Sequence, residues 1–172
     1  MANVNFQDIT TENDIRSLLK LCRKCKTLTA NATNVITHMQ LPQTRISTKK
    51  TRAHGFIVNS ESSVRLGHWF AIIIFNGKFL VVCDGLNKVL DRSDIMINVT
   101  KFCDSNHLIL RNLNFRCQVS NSLKCGYIAL FFIAKASLLN YRNFMKMVTM
   151  LNQYSIESRE QFVFKYVKRH FK

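Results

Sequence analysis

Two dense apolar runs, residues 68–75 and 78–83, stand out in the hydrophobic pattern and are separated by Asn76-Gly77. An Asn-Gly pair between apolar runs is the strongest short-range hairpin signal, because both residues tolerate the positive φ of a tight turn. Upstream, Thr11 and Asp14 read as a capping box. Ile15, Leu18, Leu19 and Cys22 follow at helical spacing, which predicts a first helix over 11–24. Residues 26–52 are polar, rich in Thr and Asn, and hold the only proline, Pro42, so a long irregular stretch is expected. Asp91 and Asp94 look like residues at a helix start, and 107–117 reads as a second β-rich segment. Three helical patterns close the chain, over 125–140, 141–153 and 157–171, the last ending in basic residues that suit a helix C-terminus. This order predicts one α+β domain over residues 1–172.

Composition narrows the class. With 172 residues, 47% of them hydrophobic, the chain can bury a proper core, and disorder or a collagen-like repeat is excluded. The longest apolar run, 125–134, ends at Lys135 and falls short of the roughly 18–20 residues of a membrane span, so a soluble domain is expected. The opening MANVNFQDIT has no charged-then-apolar segment pointing to secretion. Six irregularly spaced cysteines are accordingly expected as reduced thiols.

Charge changes the picture more. Lys and Arg number 25 against 10 Asp and Glu, a net +15, with nine basic residues and no acidic one over 15–60. Such an imbalance implies an anionic partner, and nucleic acid held non-specifically through its phosphates fits best. No zinc-finger, helix-turn-helix or aromatic RNA-binding motif is present, so base-specific reading is not expected.

Candidate chemistry centres on one cysteine. A cysteine nucleophile needs a thiolate, a base beside it, a group orienting the base, and donors for an oxyanion. Cys125-Gly126 opens an apolar run and should sit at a helix N-terminus, where the dipole favours an anion. Gln118, in a polar loop seven residues earlier, carries an amide able to donate to an oxyanion beside the Cys125 N–H. His68 opens the first hairpin strand and Asp84 follows the second. A two-residue loop, Asn76-Gly77, would put His68 and Asp84 on opposite faces of the sheet; a three-residue loop, Phe75-Asn76-Gly77, would set them directly opposite each other. The chemistry requires the second register or a bulge of equal effect. Cys22-x-x-Cys25 resembles half a zinc site without the remaining ligands, so no metal is expected. His38, His54, His107 and His170 lack a comparable acidic and thiol context.

The order His, Asp, Gln, Cys resembles the adenovirus-type (adenain-like) cysteine proteases. Gly67-His68-Trp69-Phe70-Ala71 follows that family's histidine motif. Gln118-Val119-Ser120-Asn121-Ser122-Leu123-Lys124-Cys125-Gly126 follows its oxyanion-glutamine and nucleophile motif, and 159–170 looks like its last helix. The resemblance implies a cysteine endopeptidase with a central mixed β-sheet and helices packed around it, in the clan shared with ubiquitin-like-modifier proteases. It assigns Cys125 as nucleophile, His68 as general base and acid, Asp84 as orienting carboxylate and Gln118 as oxyanion donor. It further implies viral precursor proteins as substrates during virion maturation, a monomer acting in the virion and host nucleus, and DNA and a short activating peptide as activators, the peptide held through a cysteine for which Cys103 is the candidate by position. One departure matters: adenoviral members carry a glutamate as third residue, whereas Asp84 matches the deconjugating branch. Three readings therefore stay open: a DNA-stimulated viral maturation protease, a protease for a ubiquitin-like modifier, and an inactive nucleic-acid-binding virion protein.

Overall fold

The computed structural model describes residues 11–21, 35–46, 53–61 and 67–171. Its centre is β3 (Trp69–Phe75), every residue of which is buried. A strand covered on both faces reads as an unbroken apolar run, which is why WFAIIIF shows no alternation. Around it a five-stranded mixed sheet forms in chain order: β1 (Val35–Thr37), β2 (Ala53–Asn59), β3, β4 (Phe79–Cys83) and β5 (Ile109–Asn112). β3 runs antiparallel to β2 and β4, while the outer pairs β1/β2 and β4/β5 are parallel.

The pleat splits the core in two. Trp69, Ala71, Ile73 and Phe75 point to one face with Val81 and Cys83, where they meet α1 (Glu12–Leu21), α3 (Cys125–Leu138), α4 (Tyr141–Leu151) and α5 (Ile156–His170). Phe70, Ile72 and Ile74 point to the other with Leu80 and Val82, under α2 (Ser93–Ser105) and a 3₁₀ turn over His38–Gln43. Helix α3 is buried almost all round, from Gly126 to Ala134, because it lies between the sheet and the outer helices.

The expected α+β class holds, and helix starts follow their signals. Thr11 and Asp14 form the capping box, the Asp14 N–H donating to Thr11 Oγ1 at 3.3 Å and the Thr11 N–H to Asp14 Oδ2 at 3.1 Å. Three expectations need correction. The stretch 26–52, read as irregular, contains β1 and the 3₁₀ turn among its described residues. The pattern also gave no sign of β2, whose Ala53-His54-Gly55 start mixes small and polar residues. The hairpin register, finally, is neither of the two weighed. Phe75 pairs with Phe79, so the loop is Asn76-Gly77-Lys78. Asn76 and Gly77 both take positive φ (55° and 62°), and the Lys78 N–H donates to Phe75 O at 3.0 Å. Lys78 then stands outside the β3/β4 ladder as an extra residue, its carbonyl accepting from the Ile109 N–H at 2.8 Å at the start of β5.

Phe132 tests the packing between layers. It is fully buried on α3, edge-on to Phe115 with centroids 5.9 Å apart, and tilted against Phe144 at 6.0 Å. Phe132→Ala is expected to cost about 3–5 kcal/mol, seen as a lower urea midpoint at unchanged slope. A loss below about 1 kcal/mol would mean that α3 is not the central helix.

Candidate active site

His68 lies just before β3 and Asp84 just after β4, so the antiparallel pair brings both to one end of the sheet. In the observed register the ladder ends at Ala71 and Cys83, and the residue facing Asp84 would be Phe70, leaving His68 on the diagonal. That offset of two residues preserves the face, and His68 Nε2 hydrogen-bonds Asp84 Oδ1. The backbone before His68 bends to make this reach. Gly67 has φ of 152°, and a Cβ there would collide with Asn59 Oδ1. Ser60 holds the turn from both sides: its N–H donates to His68 O at 2.9 Å and its Oγ accepts from the His68 N–H at 3.0 Å.

Asp84 is 5% exposed, yet its carboxylate is well supplied with donors. Oδ1 accepts from the Leu86 N–H at 3.0 Å, and Oδ2 from the Lys88 and Val89 N–H groups at 2.7 and 2.9 Å. Burial pushes the Asp84 carboxyl up, but His68 and these N–H groups together hold it below the usual carboxylate range.

Cys125 is the first residue of α3. The first N–H groups of a helix have no helical carbonyl to pair with, and the dipole favours an anion there. The sulfur is hydrogen-bonded by the His68 ring and by the Trp69 and Gly126 N–H groups. With Nε2 committed to Asp84, the ring presents Nδ1 to the sulfur. Burial disfavours charge on both partners, yet hydrogen bonds win: Asp84 first and Cys125 next push His68 up to about 9, while the His68 ring and then the Trp69 N–H lower the Cys125 thiol. Both shifts run toward a thiolate–imidazolium pair, the form in which a cysteine is a strong nucleophile.

Gln118 is 2% exposed, and its backbone N–H donates to Gly85 O at 2.9 Å, next to Asp84. Its Nε2 donates to Ser122 O at 2.6 Å, which leaves the second N–H of the amide for another acceptor. A Cβ on Gly85 would meet Ile128 on the first turn of α3 at 2.8 Å and Gln118 Oε1 at 2.9 Å. The glutamine, the loop after β4 and the start of α3 thus converge on one spot.

Cys103 does not join them. It lies on the inner side of α2 in the opposite core layer, 5% exposed, and burial pushes its thiol up to about 11. The cysteine expected by position to hold a peptide is thus a protonated thiol within the core. Cys22 and Cys25 lie outside the described residues, and no cluster of three or more metal-ligating side chains occurs among the described ones. His38 is buried against Asn98, its Nδ1 3.1 Å from the Asn98 amide nitrogen, a packing role.

Three supports went unread in the sequence. The Trp69 backbone reaches the sulfur, Ser60 fixes His68, and Glu160 on α5 is buried against the loop before Cys125. Only Glu160 left a signal, an acid in register with Val163 and Val167 on the buried stripe of its helix. No protein-family model matches the chain, and no match is found among curated proteins.

The ion pair makes its own prediction. Iodoacetamide alkylation of Cys125 should titrate with a midpoint below the ordinary thiol value of 9.0. His68→Ala removes the pairing charge and should move that midpoint up. Identical midpoints in the two proteins would mean that His68 does not ionise the thiol.

Proposed function

We propose that this chain is a cysteine endopeptidase of adenain-like fold, with Cys125 as nucleophile, His68 as general base and acid, Asp84 as orienting carboxylate and Gln118 as an oxyanion donor. The observation that carries the reading is the Cys125–His68–Asp84 chain of hydrogen bonds at a helix N-terminus, with the thiol lowered and the imidazole raised.

The thiolate attacks the carbonyl carbon of a peptide bond, and the C=O π pair moves onto oxygen. The Gln118 amide and the backbone N–H at the start of α3 stabilise that oxyanion; loss of one such donor costs about 2.7–4 kcal/mol of barrier. His68 gives its Nδ1 proton to the leaving amine as the C–N bond breaks. It then takes a proton from water as the hydroxide displaces sulfur, releasing the acid and restoring the thiolate. Asp84 keeps Nε2 protonated and the ring aimed throughout.

Charge and resemblance extend the reading to its setting. A net +15 favours polyanion binding, and the adenain likeness favours DNA as activator and viral precursor proteins as substrates in virion and nucleus, with the chain acting as a monomer. No helix among the described residues is long and apolar enough to cross a membrane. Asp84 in place of a glutamate favours a second reading, removal of a ubiquitin-like modifier.

Incubation with a peptide library and with folded ubiquitin-like precursors, followed by mass spectrometry of new termini, separates the two. The maturation protease should cleave library peptides, faster with duplex DNA at low salt and losing that gain as salt rises. Cys125→Ala should lose about 10⁴-fold or more. Cleavage confined to folded precursors after Gly-Gly, indifferent to DNA, would select the deconjugating reading; cleavage undiminished in Cys125→Ala would sink both. Activity should also fall as pH rises through about 9, since His68 loses the proton that the leaving amine requires.

A further inference from the structure

We infer that Glu160 is a positioning residue for the oxyanion side of the site, acting through Ser122 on the amide of Gln118; this rests on the reading of Gln118 given above. Glu160 is 5% exposed on a helix face otherwise buried through Val163 and Val167. A carboxylate on such a face is costly unless its oxygens are paired. All three of its side-chain hydrogen-bond partners come from one loop. Oε2 accepts from the Val119 N–H at 2.7 Å; Oε1 accepts from Ser122 Oγ at 2.8 Å and from Lys124 Nζ at 2.7 Å. An apolar side chain of similar size would serve stability as well or better, so a buried charge here buys geometry rather than cohesion.

The geometry it fixes is that of a single carbonyl. Ser122, tied to Glu160 through its hydroxyl, presents its carbonyl to Gln118 Nε2 at 2.6 Å. A carbonyl accepts only from the NH₂ end of an amide, so it dictates which way the Gln118 amide faces. With Ser122 in place, Nε2 keeps a second N–H to offer, while Oε1 lies over Gly85 with no hydrogen-bond partner among the described residues. With Ser122 displaced, the amide can turn over and present an oxygen to a developing negative charge. The neighbouring Arg159 reinforces the same loop from α5, donating to Arg116 O at 2.6 Å, while the Arg116 side chain donates to Ser120 Oγ at 2.6 Å.

Two chemistries at one sulfur separate this role from mere structure. Acylation by p-nitrophenyl acetate passes through an oxyanion, whereas alkylation by iodoacetamide does not. Both are measured on the full chain, with Cys125→Ala as background. Glu160→Gln turns one of the two acceptor atoms into a donor; Ser122→Ala leaves the carboxylate in place and removes the hydroxyl that links Ser122 to it and accepts from the Lys124 N–H at 3.3 Å. Both variants should slow acylation, Glu160→Gln by on the order of 10²-fold, and leave alkylation unchanged. The double variant Gln118→Ala/Glu160→Gln should acylate no more slowly than Gln118→Ala, since the two act as one unit. Acylation at the wild-type rate, equal losses in both reactions, or additive losses would each overturn the proposal. Hydrogen exchange at the Val119 N–H reads the clamp without reference to catalysis: it should accelerate in Glu160→Gln, and unchanged exchange overturns the clamp. Should Gln118→Ala acylate like wild type while exchange responds, the role of Gln118 fails and the inference falls with it; a Cys125 that neither reagent labels faster than background would instead defeat the protease reading.

Discussion

Two ionisable groups, the partly exposed Cys125 thiol and His68 imidazole, set the terms for everything around them. Charging both in this half-buried setting costs desolvation energy at each ion before any pairing. Their attraction recovers part of that, and fixed donors and acceptors must supply the rest. The sulfur takes the His68 ring and the Trp69 and Gly126 N–H groups. The imidazolium takes Asp84, and Asp84 takes three backbone N–H groups of its own. Hydrogen bonds to charged groups contribute about 1.5–3 kcal/mol each, so such a set offsets the desolvation, and loss of any one leaves a buried charge short of a partner.

The fold delivers these groups to one place because three elements start or stop at the same end of the sheet. β3 begins there, β4 ends there, and α3, packed along the sheet, begins there too. Antiparallel pairing makes the first coincidence automatic, since a strand's start always lies beside its hairpin partner's finish. The second depends on the layers that bury α3 almost all round from Gly126 to Ala134: a helix so enclosed cannot slide without breaking contacts with both the sheet and α5. The core between β3 and the outer helices is therefore also what holds the Cys125 sulfur against the His68 ring.

Much of this was legible in the chain. Periodicity and capping gave the hairpin, α1 and the three closing helices, because those segments carry their own local signals: Asn76-Gly77, the Thr11–Asp14 box, and the apolar run after Cys125. The strands β1 and β2 were not legible. β1 is three residues long and β2 opens on Ala53-His54-Gly55; they are strands because β3 offers β2 an edge to pair with and β2 in turn offers one to β1, a tertiary reason that no local window contains. The site divides the same way. Side chains able to do chemistry announce themselves by type and order, so Cys125, His68, Asp84 and Gln118 could be named. Backbone donors and second-tier anchors do not: the Trp69 N–H has no sequence signature, and Glu160 was visible only as an acid out of place on an apolar stripe.

The hairpin register shows why the site tolerates what a strict reading would forbid. Expectation required His68 directly opposite Asp84, and the structure offsets them by two residues because the extra residue is Lys78, on the far side of the turn. A slip of one residue would have sent the two side chains to opposite faces, and no loop adjustment repairs that. A slip of two keeps the face and only lengthens the reach to a diagonal, roughly 7–8 Å between backbones. Residues outside a ladder can close such a gap, and His68 stands outside it, on a turn that Gly67 permits and Ser60 pins. What the chemistry demands of the turn is therefore parity rather than identity of loop. The freedom left over is taken up by Gly67, where any side chain would collide with Asn59, so tolerance in the hairpin is obtained by intolerance at the glycine before the histidine.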